Sequence, residues 1–410
     1  MGFAAHGLSW IALLFLAARH SFAIDFPALG WVHLVALGWL TIVALSVLIH
    51  VIPTFTDVAW KSELLARVAL VVIAPGVGAL VAAFWCGAVW ALPWAATLVA
   101  IGFGCYLFAA LRTLAAGYAQ PRVEAAIARA LSVTLASLLL TVALGVTLAW
   151  TLAGRLPPLL GVSGPQIHAS FGTIGWLTVL VMGVSTQTVR PITGARSRIA
   201  FAHAAAGGAE IVGLTATAVG LALGQTTIAW AGAITISAGA LLYVGDLVDV
   251  LRRASERHRP PQAFLWVGAV WLLVGLALAL DALAGGHSGV TAVFVLVVGW
   301  IGQMVNGHLY HIGVRLIATM ARGEDDETSP AELLSEPLSW FSFGCFQTAI
   351  VVGGLGLFFV NSSLMEVAAC SGFAGWIAMT VNIVVARNRA IVAPRVGPAS
   401  MISLIESLRS

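Results

Sequence analysis

The chain has 410 residues, of which 60 % are hydrophobic and 9 % charged, with a mean hydropathy of +0.99 and a formal net charge of +3. This balance lies outside the range of soluble globular domains and places most of the chain in a bilayer, with lipid as a constant partner. The small positive charge is a topology signal and not a nucleic-acid footprint, and no Walker motif, dinucleotide-binding glycine motif after a strand or H-E-x-x-H motif occurs.

Apolar runs of about 20 residues, enough to cross the hydrocarbon core, begin near residues 5, 28, 66, 90, 124, 166, 201, 227, 263, 289, 338 and 366. They predict an all-α polytopic membrane protein of about twelve transmembrane helices, forming one membrane domain over 1–410. The first run lacks a basic start and is followed at once by the second, so it reads as a retained helix and not as a cleaved signal. Of the 20 Lys and Arg, 18 fall on one side, in alternate loops and the C-terminal tail, leaving Arg19 and Arg155 opposite. The positive-inside rule then puts both termini in the cytoplasm, and a bacterial cytoplasmic (inner) membrane is expected.

Along the chain, candidate chemistry rests mainly with histidine, because an imidazole inside a membrane is costly unless it is paired or ligates something. His6 and His20 flank the first span and read as interfacial. The second span opens with His33, carries Gly38-Trp39, and continues to Ser46 and His50. The sixth opens with His168 and runs through Gly175-Trp176 to Gly183 and Gln187, and the seventh carries His203 and Glu210. His258 lies in a loop and His287 just before the tenth span, which carries Gly299-Trp300, Gly307, His308 and His311.

The Gly-Trp pattern therefore recurs three times, 137 and then 124 residues apart, each time with a small residue eight positions on and a hydrogen-bonding side chain at twelve. On a continuous α-helix these offsets share one face. The spacing predicts three four-helix repeats, about 1–120, 121–255 and 256–390, around a pseudo-threefold axis that brings the repeated helices together.

The histidines fall into two layers. His33 and His168, with His287 at the mouth, form an outer set suited to haem or copper ligation. His50, His203, His308 and His311 form an inner set whose alternatives are metal or haem ligation and simple helix-to-helix hydrogen bonding. His33 and His50 lie 17 residues apart, about 25 Å along a helix, so they serve different places. Glu210, two turns from His203 on one stripe, is the carboxylate placed deepest in the bilayer and is read as part of a proton path. The four cysteines show no C-x-x-C or haem-attachment spacing and read as buried apolar thiols. The polar stretch from Arg322 to Pro337 reads as a loop.

Three stretches carry a family resemblance: His33 through Trp39 to His50-Val-Ile-Pro53, His168 through Trp176 to Arg190-Pro191, and Gly299-Trp300 through Gly307-His-Leu-Tyr-His-Ile312. In these stretches and in architecture the chain resembles the haem–copper oxidase subunit I superfamily, most of all its short, divergent members; NnrS-type haem- and copper-containing proteins of nitric-oxide metabolism are another branch. The resemblance implies His33 as an axial ligand of a low-spin b-type haem and His168 as a copper ligand. It also breaks: the tenth span reads Thr291 to Val298 where an oxidase has two outer histidines, the seventh has His203 alone, and no tyrosine motif follows His168.

The expectation is thus a haem-binding protein, with copper possible, that acts in electron transfer or in nitric-oxide or oxygen chemistry. It would lack a complete binuclear centre and take electrons from a quinol or a partner redox subunit. Two alternatives stand beside it. One is a transporter or metal- or haem-handling permease using Glu210, His203 and the His308/His311 pair, for which Gly207-Gly208 and Gly353-Gly354 would offer unwound segments. The other is a cofactor-free subunit that anchors a partner.

Overall fold

The computed structural model describes residues 1–19, 25–118, 125–199, 201–255, 259–323 and 328–392. His20, Arg122, His258, the acidic run 324–327 and the tail beyond 392 lie outside the described residues. Within them the chain is helical, with no strand. The principal helices are α1 (Gly2–Ala18), α2 (Phe26–Thr56), α3 (Glu63–Trp85), α4 (Leu92–Gly117), α5 (Ala125–Leu152), α6 (164–193), α7 (Ala202–Leu223), α8 (Thr226–Arg252), α9 (Pro260–Leu283), α10 (Gly289–Arg322), α11 (Glu336–Phe358) and α12 (Ser362–Val392). Among the described residues eleven are long and apolar enough to cross a membrane, and α1, with 17 residues, is shorter. The protein is a polytopic helical membrane protein.

Local chemistry sets the helix ends. Asp25 caps α2 by accepting from the Ala28 amide at 2.9 Å, and a proline follows in the first turn. Prolines also open α4, α6, α9 and α11, where a missing N–H costs nothing. Gly194 and Gly224 close α6 and α7 with φ of 72° and 65°, the left-handed turn that glycine makes without Cβ strain.

The three Gly-Trp helices α2, α6 and α10 meet at the centre. Trp39, Trp176 and Trp300 are the largest buried side chains there, each no more than 1 % exposed. Around each dipeptide the helix widens into π turns: Leu34–Thr41, Phe171–Thr178 and Val295–Ile301. The wider turns alter the phase, so the offsets of eight and twelve do not share one environment as a continuous α-helix would require. Ser46 and His50 are exposed, Gly183 meets Ala130, and Gly307 meets Phe264 and the Pro261 carbonyl.

Helix pairs surround this centre, and close approach at small residues joins them as membrane packing requires. A Cβ on Gly76 of α3 would come within 3.0 Å of Val99 on α4; on Gly213 of α7 it would come within 2.8 Å of Ile236 on α8, both partners 137 residues further on. Tyr106 and Tyr243 share that spacing, and both are buried with their hydroxyls donated to a central helix, at the Leu45 carbonyl (2.7 Å) and at Ser185 (3.1 Å). The first and last helices meet: Trp376 of α12 donates to the Phe3 carbonyl of α1 at 2.8 Å, and its ring lies against Gly7.

Two expectations are corrected. Cys86 and Cys370 are exposed and Cys105 and Cys345 partly so, because they lie on outward helix faces or ends. The double glycines at 207–208 and 353–354 lie inside unbroken helices, since their neighbours keep the backbone paired.

Candidate functional site

His33 is the last residue before the first π segment, and His168 lies one turn before the second. Their rings stand 6.3 Å apart, centroid to centroid, with planes inclined by 17°. His33 Nδ1 is 2.7 Å from the Leu29 carbonyl, and His168 Nδ1 is 3.0 Å from the Thr141 carbonyl on α5. A carbonyl only accepts, so Nδ1 carries the proton in both rings and Nε2 is the nitrogen each has left to offer. Both residues are partly buried. Gly145 of α5 makes room for the second ring, since a Cβ there would come within 2.9 Å of Cε1 of His168.

This spacing has a chemical meaning. Metal–imidazole bonds of about 2.0–2.1 Å, plus roughly 1.1 Å from each nitrogen to its ring centre, hold two imidazoles on opposite sides of one metal ion about 6.3 Å apart. The centroid separation of His33 and His168 matches that length, and their ring planes are stacked. Among the described residues no three His, Cys, Asp or Glu side chains gather as a metal-binding group. His168, implied as a copper ligand, stands beside His33. His287 does not join them; it is exposed and packs against Phe358.

Below the pair lies the tryptophan layer. Trp176 Nε1 donates to Thr41 Oγ1 at 3.0 Å, and Trp300 Nε1 donates to Thr178 Oγ1 at 3.1 Å. The third link is missing, because the position corresponding to Thr41 and Thr178 is Gly302, against which the Trp39 ring packs at 3.0 Å from a would-be Cβ. Trp39 Nε1 has no hydrogen-bond partner. The sequence carried the signal as Gly-Trp-Leu-Thr at 38–41 and 175–178 against Gly-Trp-Ile-Gly at 299–302.

His6 fills that gap. Read from sequence as interfacial, it is fully buried, because α1 is held in the bundle by α12 and the Gly-Trp helix. Its ring lies flat on Trp39, with centroids 3.5 Å apart and planes 3° apart, and Phe346 stacks at 5.4 Å. Neither of its nitrogens has a hydrogen-bond partner.

The inner residues separate into distinct places. His308 Nδ1 donates to the Met304 carbonyl (2.6 Å), and its Nε2 pairs with Thr188 Oγ1 (2.8 Å). It lines an apolar chamber of about 100 Å³ between α2, α6 and α10. His311, three residues on, lines a separate polar cavity. His50 is exposed and joins neither. His203, named as a metal candidate, lies 3.4 Å from Asp246, and Asp246 accepts from Ser197 at 2.6 Å. Asp246 is 2 % exposed although it lies near a helix end, and sequence reading missed its burial. Glu210 is 1 % exposed, beside Gly239, and its Oε1 has no partner.

Compared with known proteins, the chain matches no family model and no curated sequence.

Proposed function

We propose that this protein is a b-type haem protein of the membrane that carries electrons, with His33 and His168 as the residues that would hold the haem iron. The neighbouring imidazole pair carries the reading: its centroid separation matches that of two imidazoles on one metal, each Nδ1 is held by a carbonyl, and each Nε2 is left for ligation. Bound there, haem would supply one-electron exchange. With both imidazoles engaged in holding the group, the arrangement would favour electron transfer over nitric-oxide or oxygen binding. The chain's part is to fix ring orientation, keep both imidazoles neutral and hold water away with Phe84 and the tryptophan layer. Electrons would come from a quinol or a partner redox subunit.

The same reading extends to the scaffold. Twelve spans in three four-helix repeats, of the haem–copper oxidase subunit I type, are supported by the contacts that recur 137 residues apart and by the three π segments. The positive-inside rule favours cytoplasmic termini, and a bacterial inner membrane is the proposed location.

The test is an oxidised and dithionite-reduced visible spectrum, with haem quantified as the pyridine haemochrome, on the wild type and on His33→Ala and His168→Ala. One haem with a sharp low-spin α band is expected, and either substitution alone should remove that signature. Unchanged spectra and haem content in both variants would overturn the assignment.

A further inference from the structure

The arginine-rich end of the bundle holds a polar cavity of about 240 Å³, far more than a single water needs. Its walls come from the end of α6, the start of α9, the second half of α10 and the start of α11, and the short helix Pro330–Leu333 closes it. That roof is fastened at several points. Arg315 and Arg322 donate to the Thr328 carbonyl (3.2 Å) and hydroxyl (2.8 Å), and Arg389 donates to the Leu333 and Leu334 carbonyls at 3.2 and 2.9 Å. Asn382 of α12 accepts from the Ser335 amide at 2.7 Å and donates to its carbonyl at 3.0 Å. A roof tied in this way preforms the space beneath it.

Several polar groups of the wall are spent on the protein itself. Ser329 Oγ accepts from the Ala331 amide, Ser339 Oγ donates to the Ser335 carbonyl, and the Tyr310 hydroxyl pairs with Ser342. Glu336, the one carboxylate of the described wall, accepts from the Trp340 indole at 3.2 Å on the exposed side. Gln262 differs. It is 1 % exposed, its Nε2 donates to the Ile192 carbonyl at 3.0 Å, and its Oε1 has no partner. A buried amide oxygen without a donor calls for a guest that brings one. His311 and Arg259 share this wall, and Arg259 and Arg315 are the cations that act on the His311 ring.

These groups define their occupant. The Arg259 guanidinium and an imidazole N–H of His311 are donors suited to the charged oxygens of an oxyanion. Gln262 Oε1 only accepts, so it tolerates an anion beside it only if that anion itself carries a hydrogen. Both forms of phosphate present at neutral pH keep at least one O–H, which Gln262 can receive. Sulfate has the same shape and no hydrogen, and would set two oxygens against each other. A metal cation would meet the oxygen but also the two guanidinium charges.

We propose that this cavity is a binding site for a hydrogen-bearing oxyanion of the hydrogen phosphate type, with Gln262 as the residue that selects it. His168 lies near the start of α6 and Ile192 near its end, so the site is at the other end of that helix from the imidazole pair and needs no haem.

Isothermal titration calorimetry on the full-length protein in detergent, at neutral pH and constant ionic strength, tests it with sodium phosphate and sodium sulfate as probes. Phosphate should bind once per chain and about tenfold or more tightly than sulfate, the effect of one buried acceptor left without a donor. Gln262→Leu should bring the two anions within about threefold of each other. Ala331→Trp, which fills the space under the roof, should abolish phosphate binding while the unfolding midpoint measured without anion stays at its wild-type value. A wild type that binds no phosphate, or binds phosphate and sulfate alike, would overturn the site, and so would a phosphate preference that persists in folded Gln262→Leu.

Discussion

The His6 imidazole lies parallel on the Trp39 indole at 3.5 Å, and neither of its ring nitrogens is hydrogen-bonded. Two orphaned nitrogens in a sealed core are a standing cost, so the ring's value to the fold lies in its shape. Replacing His6 with Phe should keep the stack and remove the orphans, leaving the thermal midpoint equal or higher. His6→Ala should open a cavity and cost about 2–4 kcal/mol, by comparison with other truncations of buried side chains. A phenylalanine variant that melts below wild type would show that the nitrogens are satisfied in the folded protein.

The two Trp–Thr links should behave alike. Thr41→Val and Thr178→Val each strand one buried indole N–H, at a cost of about 1–3 kcal/mol. Denaturant unfolding in micelles checks this. A third hydroxyl introduced as Gly302→Ser should give no matching gain, because its Cβ would press on the Trp39 ring and on the Val297 carbonyl.

Gly145 controls where the His168 ring sits. Gly145→Val should displace that ring and lower haem occupancy at least tenfold while the protein remains folded. Gly104→Ala, on a helix face with open space, should change neither occupancy nor midpoint. Equal haem content in both variants would mean that the ring is not held by this contact.

Asp246 ties Ser197 and His203 together at the arginine-rich end. Asp246→Leu should cost about 1–3 kcal/mol by removing the 2.6 Å acceptor of the Ser197 hydroxyl and the carboxylate beside His203. Adding Ser197→Ala should recover part of that loss, because two side chains in one network do not contribute additively. A strictly additive double mutant would show that the two act independently.

Much of the architecture was legible because membrane helices announce themselves by length and hydropathy. The run expected near 227, for example, is α8 from Thr226. The importance of the Gly-Trp dipeptides could be read from their recurrence. The π turns around them could not, since apolar periodicity over a few residues does not distinguish one helical pitch from another. His33 and His168 were each named from depth and residue type; their mutual approach depends on how α2 and α6 cross. His6 was misplaced because a single histidine in a short first helix looks the same from sequence whether its partner is a headgroup or a tryptophan. His50 illustrates the converse: it completes a repeated pattern and yet faces outward.

Because α1 is held by Trp376 of α12 and its His6 is covered by Phe346 of α11, the middle of the molecule is closed by helices far apart in sequence. A ribosome feeding this chain into the bilayer releases α1 well before α11 and α12. Until those two arrive, α1 is unpaired on one side. Any group that has to be lodged among α2, α6 and α10 has that interval in which to enter, and a nascent chain stalled before residue 336 should still be open to it.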